Sequence, residues 1–427
     1  MNFFQKTRDI FSDTFGHLFS ADVERGDLWY RLKQAKAGLE AGKAGEKPAE
    51  PIFVLAPMAD VTDAAFRKII AKYSRMGARA QGAPDERVAG GPDAMWTEFV
   101  SADGLARAPK IGRDKLLRDL LYSEGERPII AQFFTSNPAH MELAAELAVE
   151  MGFDGIDINM GCPDKSIEKQ GAGASMIKSP RVARRVLRAA LRGAANGAKK
   201  YGKPVPAVSV KTRIGYGKNE LATWLPALLA ERPALITVHA RNRKELSLVP
   251  ARWEHVREAV EIRDRVQANL PIEKRTLIFG NGDARNLADA REKARMSGAD
   301  GVMLGRAIFG NPWLFDESAY MHVDTNAGGK GVDAASGHAI GFGGAVLGVD
   351  HFYNKAQIEE RLRVMVEHTE LFEKLLGDLK NFSIMKKHYK AYVHGWEGAK
   401  ELRALLMQTN SAGEAKGVVD NYLTKTS

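Results

Sequence analysis

The stretch G-I-D-I-N-M-G-C-P-D at 155–164 runs from a short β-branched segment into a glycine and proline loop, and residues with chemistry to offer stand where the segment finishes. Seven further segments of this kind flank it. Upstream are I-F-V-L-A at 52–56, M-W-T-E-F-V at 95–100 and P-I-I-A-Q-F-F at 128–134; downstream are P-A-V-S-V-K-T at 206–212, L-I-T-V-H at 235–239, T-L-I-F-G at 276–280 and G-V-M-L-G at 301–305. Eight buried-type strands alternating with helical stretches fit a parallel α/β sheet. An open doubly wound sheet explains that alternation nearly as well as a barrel does, and position separates the two. Pro57 and Met58 follow the first segment, Gln132 lies in the third, Asn159 ends the fourth, Lys211 is in the fifth, and His239, Asn281 and Arg306 follow the sixth, seventh and eighth. Only a closed (β/α)8 TIM barrel brings all of these strand ends to one face.

Outward from the barrel, assigned to 51–320, residues 1–50 read as an extension ending in the linker A-G-K-A-G-E-K-P-A-E-P, and 321–353 as a Gly-rich insertion. Ile358, Leu362, Met365 and Val366 open a helical pattern, so 354–427 is expected to be a small C-terminal helical domain. With 427 residues, 44% of them hydrophobic, the chain can bury a large core. No apolar run approaches the roughly 20 residues that span a bilayer, and Lys6, Arg8, Asp9 and Asp13 interrupt the N-terminus. The expectation is a cytoplasmic protein, monomeric and without a membrane partner. Cys162 is the one cysteine, which excludes an internal disulfide and a thiolate zinc site; no metal is expected.

A formal charge of +9 attracts polyanions without identifying one. Ser179 to Lys203 holds eight basic residues and no acid, with Arg181, Arg185, Arg188 and Arg192 at helical spacing; the plain alternative is a solvated helix face. G-A-K-K-Y-G-K at 197–203 lacks the hydroxyl residue of a P-loop, because Pro204 follows, and no G-x-G-x-x-G occurs. N-G-D at 281–283 and G-R at 305–306 follow consecutive strands where barrels commonly hold phosphate on loop amides. Lys211 and His239, with Arg213 and Arg241 beside them, could hold an anion or an electron-rich ring. A positive charge near the pyrimidine end of a flavin stabilises its reduced, anionic form, and Gln132 could add amide hydrogen bonds. Cys162 is either a small core residue or, on a rim loop and protonated at neutral pH, a proton donor.

P-M-A-D-V-T-D at 57–63, N-M-G-C-P at 159–163, Q-G-A-G-A-S-M at 170–176, V-K-T-R-I-G at 210–215, V-H-A-R at 238–241, N-G-D, and G-R-A-I-F-G-N-P-W at 305–313 together resemble the FMN-dependent tRNA-dihydrouridine synthases. The resemblance runs from about Ile52 to Met407. It implies FMN bound through Pro57, Met58, Ala59, Gln132, Lys211, His239, Asn281, Gly282, Asp283, Gly305 and Arg306. It also implies that NADPH reduces the FMN, that hydride passes to C6 of a tRNA uridine, that Cys162 protonates C5, and that Asn159 positions the uracil. The uridine must be swung out of its stack to reach the barrel. RNA contacts are expected from Arg213, Arg241, Arg181, Arg185 and Arg188, and from Lys386, Lys387, His388, Lys390 and Arg403 in the helical domain. Two departures stand out: Asp60 replaces a usual glycine, and Glu245, Ser247 and Val249 replace the glutamine, tyrosine and glycine expected after V-H-A-R. Competing readings are a flavin barrel acting on a free pyrimidine, in the manner of dihydroorotate dehydrogenase, and a non-catalytic RNA-binding protein.

Overall fold

The computed structural model describes residues 28–40, 50–74, 91–316 and 353–426. The Gly-rich insertion, apart from Tyr353, and most of the N-terminal extension lie outside the described residues. Strands β1 (Ile52–Leu55), β2 (Ala94–Ser101), β3 (Ile129–Phe134), β4 (Gly155–Met160), β5 (Ala207–Arg213), β6 (Leu235–His239), β7 (Leu277–Asn281) and β8 (Gly301–Leu304) close in chain order into a parallel barrel, β8 pairing with β1. The open-sheet alternative is thereby excluded. Each expected strand is present within a residue or so of its predicted ends.

Period-two alternation sorts the side chains of each strand between two cores. Phe53 and Leu55, Ile156 and Ile158, Val208 and Val210, and Ile236 and Val238 face outward into the layer shared with the surrounding helices. Ile52, Val54 and Ala56, Trp96, Ile130, Leu235, Phe279 and Met303 face inward and form a separate apolar cluster. At Trp96 to Phe99 the register of β2 against β3 shifts. In the outer layer, helices Pro138–Met151 and Pro180–Tyr201 approach each other closely at Gly193 and Gly197. A Cβ at Gly193 would lie 2.3 Å from the Glu142 carbonyl oxygen, so only glycine permits this approach.

The N-terminal extension contributes a helix, Leu28–Glu40, that reaches the inner cluster from the amino end of the strands. Trp29 stacks on Trp96 at 5.8 Å and meets Phe279 edge-on at 5.5 Å. Lys33 and Lys36 pair with Asp300 and Asp93, beside the starts of β8 and β2. The barrel floor is thus closed by a residue that precedes the barrel in sequence.

Helices Lys355–Leu376, Ser383–Tyr392, Ala399–Leu406 and Ala412–Thr426 form a hydrophobic cluster of their own. Helix Ala64–Tyr73, which follows β1, serves both this cluster and the barrel's outer layer: Ile70 faces the barrel layer, Ala65 and Ile69 face the C-terminal helices, and Phe66 packs in the barrel layer while its ring also meets His368 and His388. Ion pairs reinforce the seam, Lys380 with Glu98, Lys72 with Glu367 and Arg118 with Asp378. Trp29→Ala leaves a large void under Trp96 and is expected to cost about 3 kcal/mol, the usual range for a buried aromatic. Urea unfolding of the full chain measures this; a loss below about 0.5 kcal/mol shows that the helix does not close the floor.

Candidate active site

The carboxyl ends of the strands build a mouth in two polar layers above the apolar floor. In the lower layer Gln132, Asp157 and Ser209 stand side by side on β3, β4 and β5. The Asp157 carboxylate accepts from Ser209 Oγ at 2.6 Å and from Gln132 Nε2 at 2.6 Å. In the upper layer Asn159 pairs in register with Lys211, and His239 with Asn281. Lys211 Nζ makes one long bond, 3.4 Å to Asn281 Oδ1, whose own amide nitrogen donates to the Met303 carbonyl. Among the described residues most of the lysine's donor capacity is therefore unused, and the hydroxyl of Thr237, its register partner on β6, has no hydrogen-bond partner.

Cys162 sits on the loop after β4, and several groups fix that loop. Asn159 Oδ1 accepts from the backbone N–H of Gly161 and of Cys162, at 3.1 and 2.9 Å. Arg213 Nε donates to the Gly161 carbonyl at 2.7 Å, and Arg243 joins the Pro163 carbonyl to Glu168. The Cys162 carbonyl accepts from Ala174 N at 2.9 Å, an approach that leaves no room for a Cβ on Gly173. Burial raises the thiol's pKa, so the group stays protonated at neutral pH. Lys211 is pushed down to about 8, first by burial and then by Arg213, which still leaves it mostly charged at pH 7. His239 falls well below its ordinary value through burial and the same cations, so its imidazole is neutral.

On the far side, Asp283 gathers Arg241, Arg306 and the Ala251 N–H. Gly282, at φ +126, cannot carry a side chain, because a Cβ would lie 2.8 Å from that of Ala251. Pro57 and Met58 are half-buried and Ala59 is exposed on the β1 loop, with Gly305 opposite them. The residues expected to hold a cofactor are thus brought to one mouth. Its donors, the Lys211 ammonium, the Gln132 amide and the Arg306 guanidinium, suit an anionic ring cofactor with a phosphate.

Three of the expected RNA contacts are corrected. Arg213 and Arg241 are buried and spent on internal bonds, Arg213 to the carbonyls of Gly161 and Asn242 and Arg241 to the Val249 carbonyl and Asp283. They are struts of the rim. His388 is fully buried at the seam, 4.7 Å from His368 and 5.4 Å from Phe66, with neither histidine ring hydrogen-bonded among the described residues. Burial pushes His388 down to about 3, so it is neutral and inaccessible. Its neighbours Lys387 and Lys390 face outward with Lys386 half-exposed, because Met385, His388, Tyr389 and Tyr392 take the inner face of their helix. Lys390 and Arg403 meet with Lys400 along a shallow groove. Arg181, Arg185 and Arg188 are exposed on Pro180–Tyr201, and Arg188 pairs with Glu231.

Both departures acquire a structural account. Asp60 is in the left-handed region at φ +52, where glycine is favoured. Its N–H donates to Glu98, and its carboxylate lies 3.5 Å from Lys387 Nζ. Glu245 accepts from the Asn242 N–H and pairs with Arg252, while the Val249 carbonyl takes Arg241, so the altered loop is braced from within. Two groups escaped the sequence reading although both lie in the quoted strands: Asp157, and Glu98, which burial raises to about 7. A carboxylate inside an otherwise apolar strand is the signal that marks them.

The "Dihydrouridine synthase (Dus)" family model matches residues 54–427. The chain belongs to the dihydrouridine synthase family. A "Probable tRNA-dihydrouridine synthase" of Staphylococcus aureus (strain COL) is 31% identical over 374 residues, 87% of this chain and 93% of that protein. "Probable tRNA-dihydrouridine synthase 2" of Bacillus subtilis (strain 168) is 30% identical, over 88% of this chain and 95% of that one. A solved structure of morphinone reductase covers 64% of this chain and 85% of its own at 13% identity and a TM-score of 0.38, too distant a likeness to add to the topology. For this dihydrouridine synthase family member, the raised thiol pKa has a direct readout. Alkylation of Cys162 by iodoacetamide is expected to be slower at pH 8 than that of a model thiol of pKa about 8.5, and to keep rising beyond pH 9. A plateau below pH 8 contradicts a protonated thiol.

Proposed function

We propose that this chain reduces specific uridines in tRNA to 5,6-dihydrouridine, with NADPH as reductant. The observation that carries the reading is a cysteine whose loop is fixed by Asn159, on the rim of a barrel mouth whose upper layer presents Lys211, His239 and Asn281. Family membership and the printed names of the relatives support it. Gln132, Lys211, Asn281, Gly282 and Arg306, with Pro57, Met58, Ala59, His239, Asp283 and Gly305 around them, would hold FMN. Bound there and reduced, FMN would supply the hydride for uracil C6.

The remaining work falls to the chain's own side chains. Cys162 keeps its proton on Sγ, because burial disfavours the thiolate, and passes it to uracil C5. Asn159 holds the cysteine loop and lines the place where the uracil enters. Lys211 would present positive charge to an electron-rich ring held in the mouth, and neutral His239 lets Lys211, Arg241 and Arg306 crowd together without a further cation. Arg181, Arg185, Arg188, Lys386, Lys387, Lys390 and Arg403 are exposed or half-exposed and grip the RNA backbone, with Lys400 added by the groove.

Cys162→Ala is expected to keep the flavin spectrum while dihydrouridine formation on unmodified tRNA falls by about 10²–10⁴, the range for a lost proton donor. A variant that retains full turnover rules out the assigned donor. Lys390→Ala and Arg403→Ala should each lower the slope of log affinity for tRNA against log salt by about 1, whereas His388→Phe should not change it. Filter binding between 50 and 200 mM salt separates a surface grip from a buried seam residue.

A further inference from the structure

We infer that Asp157 is a positioning residue whose carboxylate sets the direction of two side-chain amides in series and, through them, the placement of the Cys162 loop. The inference deepens the reading above and rests on it for the role of Cys162. Asp157 is 1% exposed, lies one layer below the mouth and touches neither the cysteine nor the space where a uracil would sit. Nothing about its own chemistry makes it a proton donor to the substrate, yet the hydrogen-bond chain from it leads directly to the cysteine loop.

An ionised carboxylate only accepts hydrogen bonds, whereas a primary amide has one accepting and one donating end. With Asp157 Oδ2 2.6 Å from Gln132, the glutamine must present Nε2 to it and is left presenting Oε1 on its other side. That oxygen accepts from Asn159 Nδ2 at 3.1 Å, which turns Asn159 Oδ1 toward the loop. There it accepts from the N–H groups of Gly161 and Cys162. The order is therefore fixed from one end: carboxylate, amide, amide, backbone N–H. Reversing Gln132 would set an oxygen against the carboxylate and a nitrogen against the nitrogen of Asn159, and reversing Asn159 would set an amide nitrogen against two backbone donors.

The carboxylate has reasons to stay ionised despite its depth. Burial pushes it up to about 6, while Ser209, Gln132 and the Lys211 charge favour the ionised form. The Trp96 indole also favours it, although its N–H makes no hydrogen bond of good geometry. The same residue that stacks on Trp29 therefore borders the group that orients the cysteine loop.

Asp157→Asn preserves size but can offer either end to Gln132, so the direction is no longer imposed. The test follows Cys162 alkylation by iodoacetamide from pH 6 to 10.5 by mass spectrometry on the full chain, and fits the thiol pKa separately from the limiting rate. The limiting rate is expected to rise at least about threefold as the loop is released. Removing a negative charge by itself moves only the pKa, and a filler of core volume moves neither. Gln132→Met interrupts the chain at its middle and should raise the limiting rate in the same way, which keeps the test alive if Asp157→Asn does not fold. An unchanged limiting rate in a folded variant overturns the inference. On unmodified tRNA, kcat is expected to fall about tenfold with the KM for tRNA unchanged, because Asp157 contacts no RNA. Since alkylation needs neither tRNA nor flavin turnover, a wild-type protein that makes no dihydrouridine while the alkylation difference persists defeats the functional reading and leaves the positioning role intact.

Discussion

A buried carboxylate in the middle of a barrel is costly unless its hydrogen bonds are complete, and the site above Asp157 is organised by that requirement. Each of its two oxygens accepts one hydrogen bond, from Ser209 and from Gln132 on the strands to either side. Those bonds fix the lower polar layer, and the lower layer in turn dictates what the upper one can present. Beneath it the interior is apolar and closed by Trp29, Trp96 and Phe279, so the polar layers stand on a packed support and not on a water-filled channel. The cation-rich mouth is tolerable for the same reason: Asp157 lies below Lys211, and Asp283 beside Arg241 and Arg306, so each group of positive charges has a carboxylate set close to it.

The fold was legible because β-branched runs and strand-end residues recur eight times, and a barrel is the one parallel arrangement that makes those ends neighbours. The mouth was legible for a related reason, since Asn159, Lys211, His239 and Asn281 are polar residues at the finish of apolar strands. What misled was local charge. K-K-H-Y-K at 386–390 reads as a basic patch, but a single residue step along the helix separates Lys387 outside from His388 inside, and only the packing of Phe66 and His368 decides which face is which. Arg213 and Arg241 misled in the same way: an arginine beside a site can serve the substrate or brace the backbone, and the groups that claim these two include the Gly161 and Asn242 carbonyls and the Asp283 carboxylate, all distant in sequence. The floor was hidden because Trp29 precedes a linker and has no local pattern tying it to a barrel that begins at residue 52.

Departures from the family's usual residues proved to be structural substitutions with their own partners. Asp60 accepts a backbone conformation that suits glycine and uses its side chain to face Lys387 across the seam. The loop from Arg241 to Trp253 replaces expected residues with an internal ion pair and carbonyl contacts. Neither change intrudes on the layer that carries Lys211 and Asn281.

Helix Ala64–Tyr73 gives one side to the barrel and the other to the C-terminal helices, with no spacer between them. A linker would let two parts adjust their separation to whatever they hold; a shared helix forbids it. The span from the Lys390, Lys400 and Arg403 groove to the Cys162 loop is then a fixed length, and the molecule behaves as a caliper. A partner that touches both ends at once must supply the matching distance from its own shape, so selection among similar sites could be made by geometry where no side chain reads an individual base.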